Sequence, residues 1–517
     1  MWLPSRADSR RHRWGLIVAA TLLLRMPVLV QPFFYAQDEA TYSALAGRIL
    51  AGATPFASAV DHKPPGAELT YAAVYRVFGA NRITPVHLLL MLVVVLTAGA
   101  LSEVATVLGA GSWSRWAGVL YAVGSTLGPP GDMQAANTEL LLNLPLTLAA
   151  WCVAVAVVSH RRVRTPCTAL LLCAGAFTGL AAFYKYQAAL AGLAWVGAVL
   201  WERAPRSITI RWIVALAVGF LMTAAVYCGW FWWHGAWDPF VFWGWRFNFA
   251  YINDLAFELK LENALFYLIV MAAFWSPLLA LALLAARTRH HEALTIAWFS
   301  AGVVMLSIGG RFFPHSYLMA LPPLVLAALP DSLPEVGNPR GRWLVRAAAV
   351  CAIVSVGVSG LMAWRWLDLK PGLHHSHDAY IEVGAYIRTH STREASVFVW
   401  GNSSPIYYFA DRTMGTRFPF CNYQTGKIWG TPADDLDAGD TSSLVVPRAW
   451  TELLEDLDRT PPTFIVDAGA GHLDRFDQHP ATRYAALQTR LERYRLEAVI
   501  AGVPVYRLRA RSSVRRY

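Results

Sequence analysis

Apolar residues gather into long runs separated by short polar loops. Runs at 14–30, 85–108, 116–129, 138–158, 167–183, 187–201, 212–233, 264–286, 293–309, 317–330 and 343–363 approach the ~17–25 residues that a bilayer-crossing helix needs. The pattern predicts an α-helical polytopic membrane protein with about eleven transmembrane helices. Between the first two runs, residues 31–84 break the pattern. From Asp38, the positions Tyr42, Leu45, Ile49 and Leu50 recur at helical spacing until Gly52 and Pro55, and a second amphipathic segment starts at Pro64-Pro65 and ends near Gly79. Two helices lying in the interface are expected there. After about residue 364 the periodicity changes again. SVFVW (396–400) and TFIVDAG (463–469) read as buried strands, 378–390, 448–458 and 481–495 as helices, and RLEAVIAGVPVYRLRA as a hairpin turning at Gly502. The expected organisation is a membrane domain over 1–363, with its first outer loop at 31–84, and a small α/β domain over 364–517.

Composition agrees with this. Of 517 residues 56% are hydrophobic and 15% charged, against about 25% charged in soluble domains. The net charge of +10 does not point to nucleic acid, because the basic residues sit in short loops. Arg10, Arg11 and Arg13 precede the first run. Arg161, Arg162 and Arg164 follow the fourth, Arg203, Arg206 and Arg211 the sixth, Arg287 and Arg289 the eighth, and Arg340, Arg342 and Arg346 the tenth. By the positive-inside rule all of these are cytoplasmic, and strict alternation of eleven spans places them on one side. The N-terminus is then inside, and 31–84, 130–137, 234–263, 310–316 and the C-terminal domain outside. The N-terminal apolar run lacks a small-residue cleavage site and reads as a retained span of a plasma-membrane protein. The six cysteines show no metal-ligand spacing and no disulfide framework; neither a metal nor another cofactor is expected.

The outer loops hold the candidate chemistry. Asp38 and Glu39 stand at the mouth of the first span, where carboxylates are costly unless solvated or used; the bland alternative is a helix cap. His62 and Lys63 precede two prolines that fix the lysine's backbone, and a point charge held so suits a phosphate. Asp132, Asn137 and Glu139 open the fourth span, where they either start the helix or orient a sugar. Lys185 lies between two apolar segments with no acid nearby in sequence, and Arg311, His315 and Tyr317 form a last cluster. The loop GWFWWHGAWDPFVFWGWRFNFAYIND (229–254) reads either as an interfacial aromatic belt or as a cover for a lipid tail.

The order of first span, Asp-Glu, interfacial helix, Lys-Pro-Pro and second interfacial helix resembles the GT-C glycosyltransferases, in particular protein O-mannosyltransferases and bacterial lipid A aminoarabinose transferases. TEL (138–140), FYKYQAAL (183–190) and RFFPHSYLMALPPL (311–324) share the likeness, which covers about 14–330; WGNSSPIYYFADRTMGTRF (400–418) extends its style into the C-terminal region. The resemblance implies transfer of a sugar from a polyprenyl-phosphate donor to an extracytoplasmic acceptor, usually with inversion. Asp38, with Glu39 beside it, falls on the family's catalytic acid position and Lys63 on its lysine before the proline pair. Lys185, Arg311 and His315 are expected near the donor phosphate, and Tyr42, His62, Glu139 and Tyr317 complete the substrate-binding set. One departure concerns the acceptor: the aminoarabinose transferases place an acid just before that lysine, whereas here His62 does so and Asp61 precedes it. The chemistry fits independently. Glycosyl transfer needs a base for the acceptor's proton and cations for the leaving phosphate. A transporter or flippase for a lipid-linked sugar would need the cations without the base. It is disfavoured because the polar groups lie at span ends and not at the bilayer midplane.

Overall fold

The computed structural model describes residues 6–31, 33–163, 167–253, 255–286, 293–330, 339–368, 371–431 and 439–510. Its helices, in chain order, are α1 (Arg6–Leu24), α2 (Gln37–Leu50), α3 (Gly66–Phe78), α4 (Ile83–Val107), α5 (Ser114–Gly124), α6 (Thr138–Val163), α7 (Thr168–Ala182), α8 (Ala191–Trp201), α9 (Arg206–Trp233), α10 (Phe257–Phe274), α11 (Ser276–Ala285), α12 (Ala293–Ser307), α13 (Leu321–Ala327), α14 (Pro339–Trp364), α15 (Pro371–Thr389) and α16 (Pro447–Arg459), with shorter turns between them. Among the described residues four helices are long and apolar enough to cross a bilayer: α4, α6, α9 and the 345–364 portion of α14. The pair α10 and α11, bent by 79°, makes a fifth if counted as one broken span. Eleven crossings require the shorter apolar helices α1, α5, α7, α8, α12 and α13 to contribute as well. Of the arginines that set the expected orientation, Arg164, Arg287 and Arg289 lie outside the described residues, as do the side chains of Arg10, Arg340 and Arg342.

Small residues let the long helices approach closely, the usual way apolar helices associate in lipid. A Cβ at Gly175 of α7 would fall 2.0 Å from the Leu216 carbonyl oxygen of α9, and one at Gly219 of α9 would fall 1.9 Å from that of Leu172. That contact fixes the end of α7, beyond which Lys185 stands.

The helices between α1 and α4 start and stop where the sequence directs. Extended Ala36 precedes α2, whose first turn carries both acids. Asp38 is therefore the second residue of the helix, within its first turn, and does not cap it. Pro65 precedes α3, and Gly79 ends it at φ 93°.

Beyond α14 the chain builds a five-stranded sheet of β1 (Ser396–Trp400), β2 (Thr413–Met414), β3 (Phe464–Asp467), β4 (Tyr494–Ile500) and β5 (Val503–Leu508) in the order β2-β1-β3-β5-β4. β1 runs parallel to β2 and β3; β3–β5 and β4–β5 are antiparallel. One face shares a core with the segment between α1 and α4: Ala44, Leu45 and Ala59 pack with Tyr380, Val383, Val397, Val399 and Ile406. The other joins the aromatic loop, where Phe231, Phe240, Trp243 and Phe247 are buried with Phe398, Trp400, Phe418 and Tyr423. The aromatic loop is therefore neither belt nor cover alone. Trp232, Trp233, Trp237 and Phe249 are exposed, while Phe231, Phe240, Trp243 and Phe247 hold the sheet down; Asp254 lies outside the described residues.

Candidate active site

Successive residues on a helix point about 100° apart, and this separates the two adjacent acids. Glu39 turns inward and is fully buried. Its Oε2 accepts the Tyr35 N–H at 2.8 Å; its Oε1 accepts the Ala136 N–H at 2.7 Å and lies 2.9 Å from His87 Nε2. With three partners and no exposed surface, Glu39 ties α2 to α4 and to the segment before α6. This corrects its expected place beside Asp38 as a reacting group: no surface of the carboxylate is left for a substrate. Asp38 turns outward, 37% exposed, and its Oδ2 lies 2.6 Å from Lys63 Nζ.

The start of α3 holds Lys63 in position. The Gly66 N–H donates to the Phe183 carbonyl at 3.1 Å, and a Cβ at Gly66 would come within 2.6 Å of that oxygen. Only glycine lets α3 begin against the end of α7, and this sets Lys63 near Lys185. Lys63 Nζ also donates to the Tyr42 hydroxyl at 3.2 Å. Burial lowers the lysine's proton affinity, but Asp38 and then Asp61 outweigh it and hold the ammonium protonated well above the usual range.

The second half of the cluster comes from spans far apart in sequence. Lys185 forms an ion pair with Glu139 and donates to Ser316 Oγ at 3.4 Å. Glu139 also accepts the Thr138 hydroxyl at 2.9 Å and stands 3.9 Å from His315 Nε2. His315 Nδ1 sits 2.7 Å from Asp132 Oδ1. Burial pulls the imidazole pKa down, yet Glu139 and Asp132 together raise it above the ordinary histidine value. The Gly66–Phe183 hydrogen bond sets the two halves side by side, and Glu139 acts electrostatically on Lys63 and Tyr42. Asp38, Tyr42, Lys63, Asp132, Glu139, Lys185 and His315 are brought together, each cation facing a carboxylate.

Three expected members stand apart. His62 is buried, with Nδ1 3.0 Å from both the Tyr423 hydroxyl and Asp61 Oδ1 and its ring stacked on Trp429 at 5.7 Å. The Arg311 guanidinium lies 3.5 Å over the Tyr251 ring and donates to the carbonyls of Trp429 (3.1 Å) and Tyr251 (3.0 Å). Tyr251 in turn contacts His62 at 5.2 Å between rings. These two residues clamp segment 423–429 beside the site and do not line it. Tyr317 belongs to the membrane core, edge-on to Trp275. Asn137 donates to the Asp132 carbonyl at 3.2 Å and shapes the turn.

Two further groups, neither of them marked by any local sequence signal, complete the surroundings. Asp61 is buried. Burial favours its neutral form, but His62 and Lys63 overcome this and hold it ionised down to about pH 2. Gln37, the residue before Asp38, donates to the Asn402 carbonyl at 2.9 Å and to Asp474 Oδ1 at 3.1 Å, so the C-terminal region grips the first turn of α2. Beside Gly66 an apolar groove of about 440 Å³ runs between α3, α4 and α7, lined by Thr70, Val74, Val77, Leu89 and Leu180. Among the described residues no group of three or more His, Cys, Asp or Glu is placed to hold a metal ion.

No protein-family model and no curated protein matches the chain. Solved structures do. ArnT from Cupriavidus metallidurans bound to undecaprenyl phosphate gives a TM-score of 0.55 at 14% identity, over 95% of this chain and 97% of that one. The apo state of the same protein gives 0.54 at 14% identity over the same shares. An oligosaccharyltransferase from Archaeoglobus fulgidus tethered with an acceptor peptide gives 0.48 at 12%, over 93% and 72%. The ArnT likeness spans nearly the whole of both chains and shows the fold: this chain folds as that protein does.

Proposed function

We propose that the protein is an integral plasma-membrane glycosyltransferase that moves a sugar from a polyprenyl phosphate to an extracytoplasmic acceptor: an envelope glycan, lipid or protein. The observation that carries this reading is Asp38 held against Lys63 at the outer mouth, with Lys185 and His315 beyond. ArnT was solved with undecaprenyl phosphate, which supports a polyprenyl phosphate as the donor class here. The phosphate takes Lys63 from Asp38, and Lys185 and His315 support it; the groove beside Gly66 receives the first part of the tail. Freed of its lysine, Asp38 accepts the proton of the acceptor hydroxyl as that oxygen attacks the anomeric carbon. The bond from that carbon to the phosphate oxygen breaks, the phosphate leaves with the electron pair, and the lysines stabilise it most as its charge grows. Attack opposite the leaving group inverts the anomeric centre. The division at about residue 364 belongs to the same reading: eleven spans carry the site, and the C-terminal sheet positions it from outside.

Topology tests the side on which this takes place. Cys421 is a native thiol in the outer region but is fully buried, so Thr392→Cys, at an exposed position, replaces it as a probe. In cells carrying single cysteines, an impermeant thiol reagent is expected to label positions 392 and 58 and to spare exposed Ser207→Cys in a basic loop. Labelling at 207 with protection at 392 would invert the arrangement.

His315 sets a pH dependence. Its pKa is raised in the folded protein, so its charge is fully present below the ordinary histidine value and is lost as pH rises through the raised one. KM for donor is expected to climb on the alkaline side. His315→Gln should show a high, flat KM there, and Asp132→Asn, which removes one of the raising groups, should move the climb to lower pH. An unchanged profile in both variants would remove His315 from the donor site.

A further inference from the structure

One carboxyl group near the site plays no part in the transfer chemistry. Glu68 lies on the first turn of α3, five residues after Lys63, on the inward face that also carries Tyr71 and Tyr75. It is 4% exposed, and its Oε1 has no hydrogen-bond partner. Asp61 and Lys63 act on it from the loop before the helix. Its own field reaches Tyr186, next to Lys185, and Tyr227 of α9. Buried polar atoms normally have partners, so an unpartnered carboxyl oxygen beside a candidate site calls for an account.

The charge state is set by the surroundings. Burial, and then the ionised Asp61, push the Glu68 carboxyl well above the usual carboxylate range, and Lys63 opposes this only in part. The shift is toward the protonated acid. That form offers one O–H donor and an acceptor oxygen, a pairing suited to a hydroxyl group and unsuited to an anion. A phosphate at Lys63 is joined through one oxygen to the sugar it carries, and Glu68 follows Lys63 by five residues on the buried face of α3.

We propose that Glu68 is a donor-sugar-binding residue, its carboxyl group exchanging hydrogen bonds with a hydroxyl of the sugar whose phosphate Lys63 holds. This rests on the glycosyl-transfer reading. It assigns the sugar subsite to the inner face of α3, opposite the apolar groove.

The test compares binding of bare undecaprenyl phosphate with that of undecaprenyl phosphoryl-mannose, -glucose and -arabinose to the purified full-length protein. Wild type is expected to bind at least one sugar-bearing lipid about tenfold tighter than the bare lipid. Glu68→Ala and Glu68→Leu should lose that increment with an unchanged Kd for bare undecaprenyl phosphate, which also reports that the variants are folded. Glu68→Gln, neutral and of the same shape, should keep the increment within about threefold. An increment that survives in Glu68→Leu, or is lost as fully in Glu68→Gln as in Glu68→Ala, overturns the proposal. So does the absence of any increment in wild type. Failure of wild type to bind bare undecaprenyl phosphate would instead contradict the glycosyl-transfer reading.

Discussion

Replacing Asp38 by asparagine is expected to lower the rate of sugar transfer by about 10²–10⁴-fold, the usual cost of removing a general base, while donor binding persists. The geometry gives the reason. Asp38 is the outward-facing acid of the first α2 turn, partly exposed, and its one close partner is the lysine that the donor phosphate would claim. Asparagine retains the size and the N-terminal position but cannot take a proton. Single-turnover measurement separates this loss from any change in donor affinity. Near-wild-type turnover would remove Asp38 as the base.

Glu39→Ala is expected to fail in the opposite way. Its carboxylate is buried with two backbone N–H groups and His87 around it. Removing one side of such a buried arrangement typically costs about 3–5 kcal/mol, because the remaining polar groups are left without partners. Low yield and a much lower melting temperature are expected, with turnover per folded molecule close to wild type. A stable Glu39→Ala protein without activity would place Glu39 in the chemistry after all.

This contrast shows where the sequence is informative and where it stops. Strand β1 and the β4–β5 hairpin are legible because an unbroken apolar run and a turn glycine at Gly502, φ 81°, are local signals. The starts of α2 and α3 are legible for the same reason. Asp38 and Glu39 are not distinguishable in sequence, since their roles depend on which way α2 faces, and that is fixed by His87 and Ala136. Lys185 looks unpaired along the chain because Glu139 is 46 residues away. His62 reads as a site residue beside Lys63, but Trp429 and Tyr423 from the C-terminal region draw it out of the site. Glu68 carries no signal of its own: one acid in an amphipathic helix looks like a solvated position until the packing buries it.

The central claim is that this protein breaks the bond between a sugar and a polyprenyl phosphate, and one measurement addresses it without knowing the acceptor. Lipid-linked sugars carrying radiolabelled phosphate, extracted from the source membranes, are mixed with envelopes from cells lacking the gene and with the purified protein. Wild type is expected to release free labelled polyprenyl phosphate, and Asp38→Asn to leave the label on the glycosylated lipid. Label that stays on the glycosylated lipid with wild type, or that is released equally by Asp38→Asn, would contradict the claim.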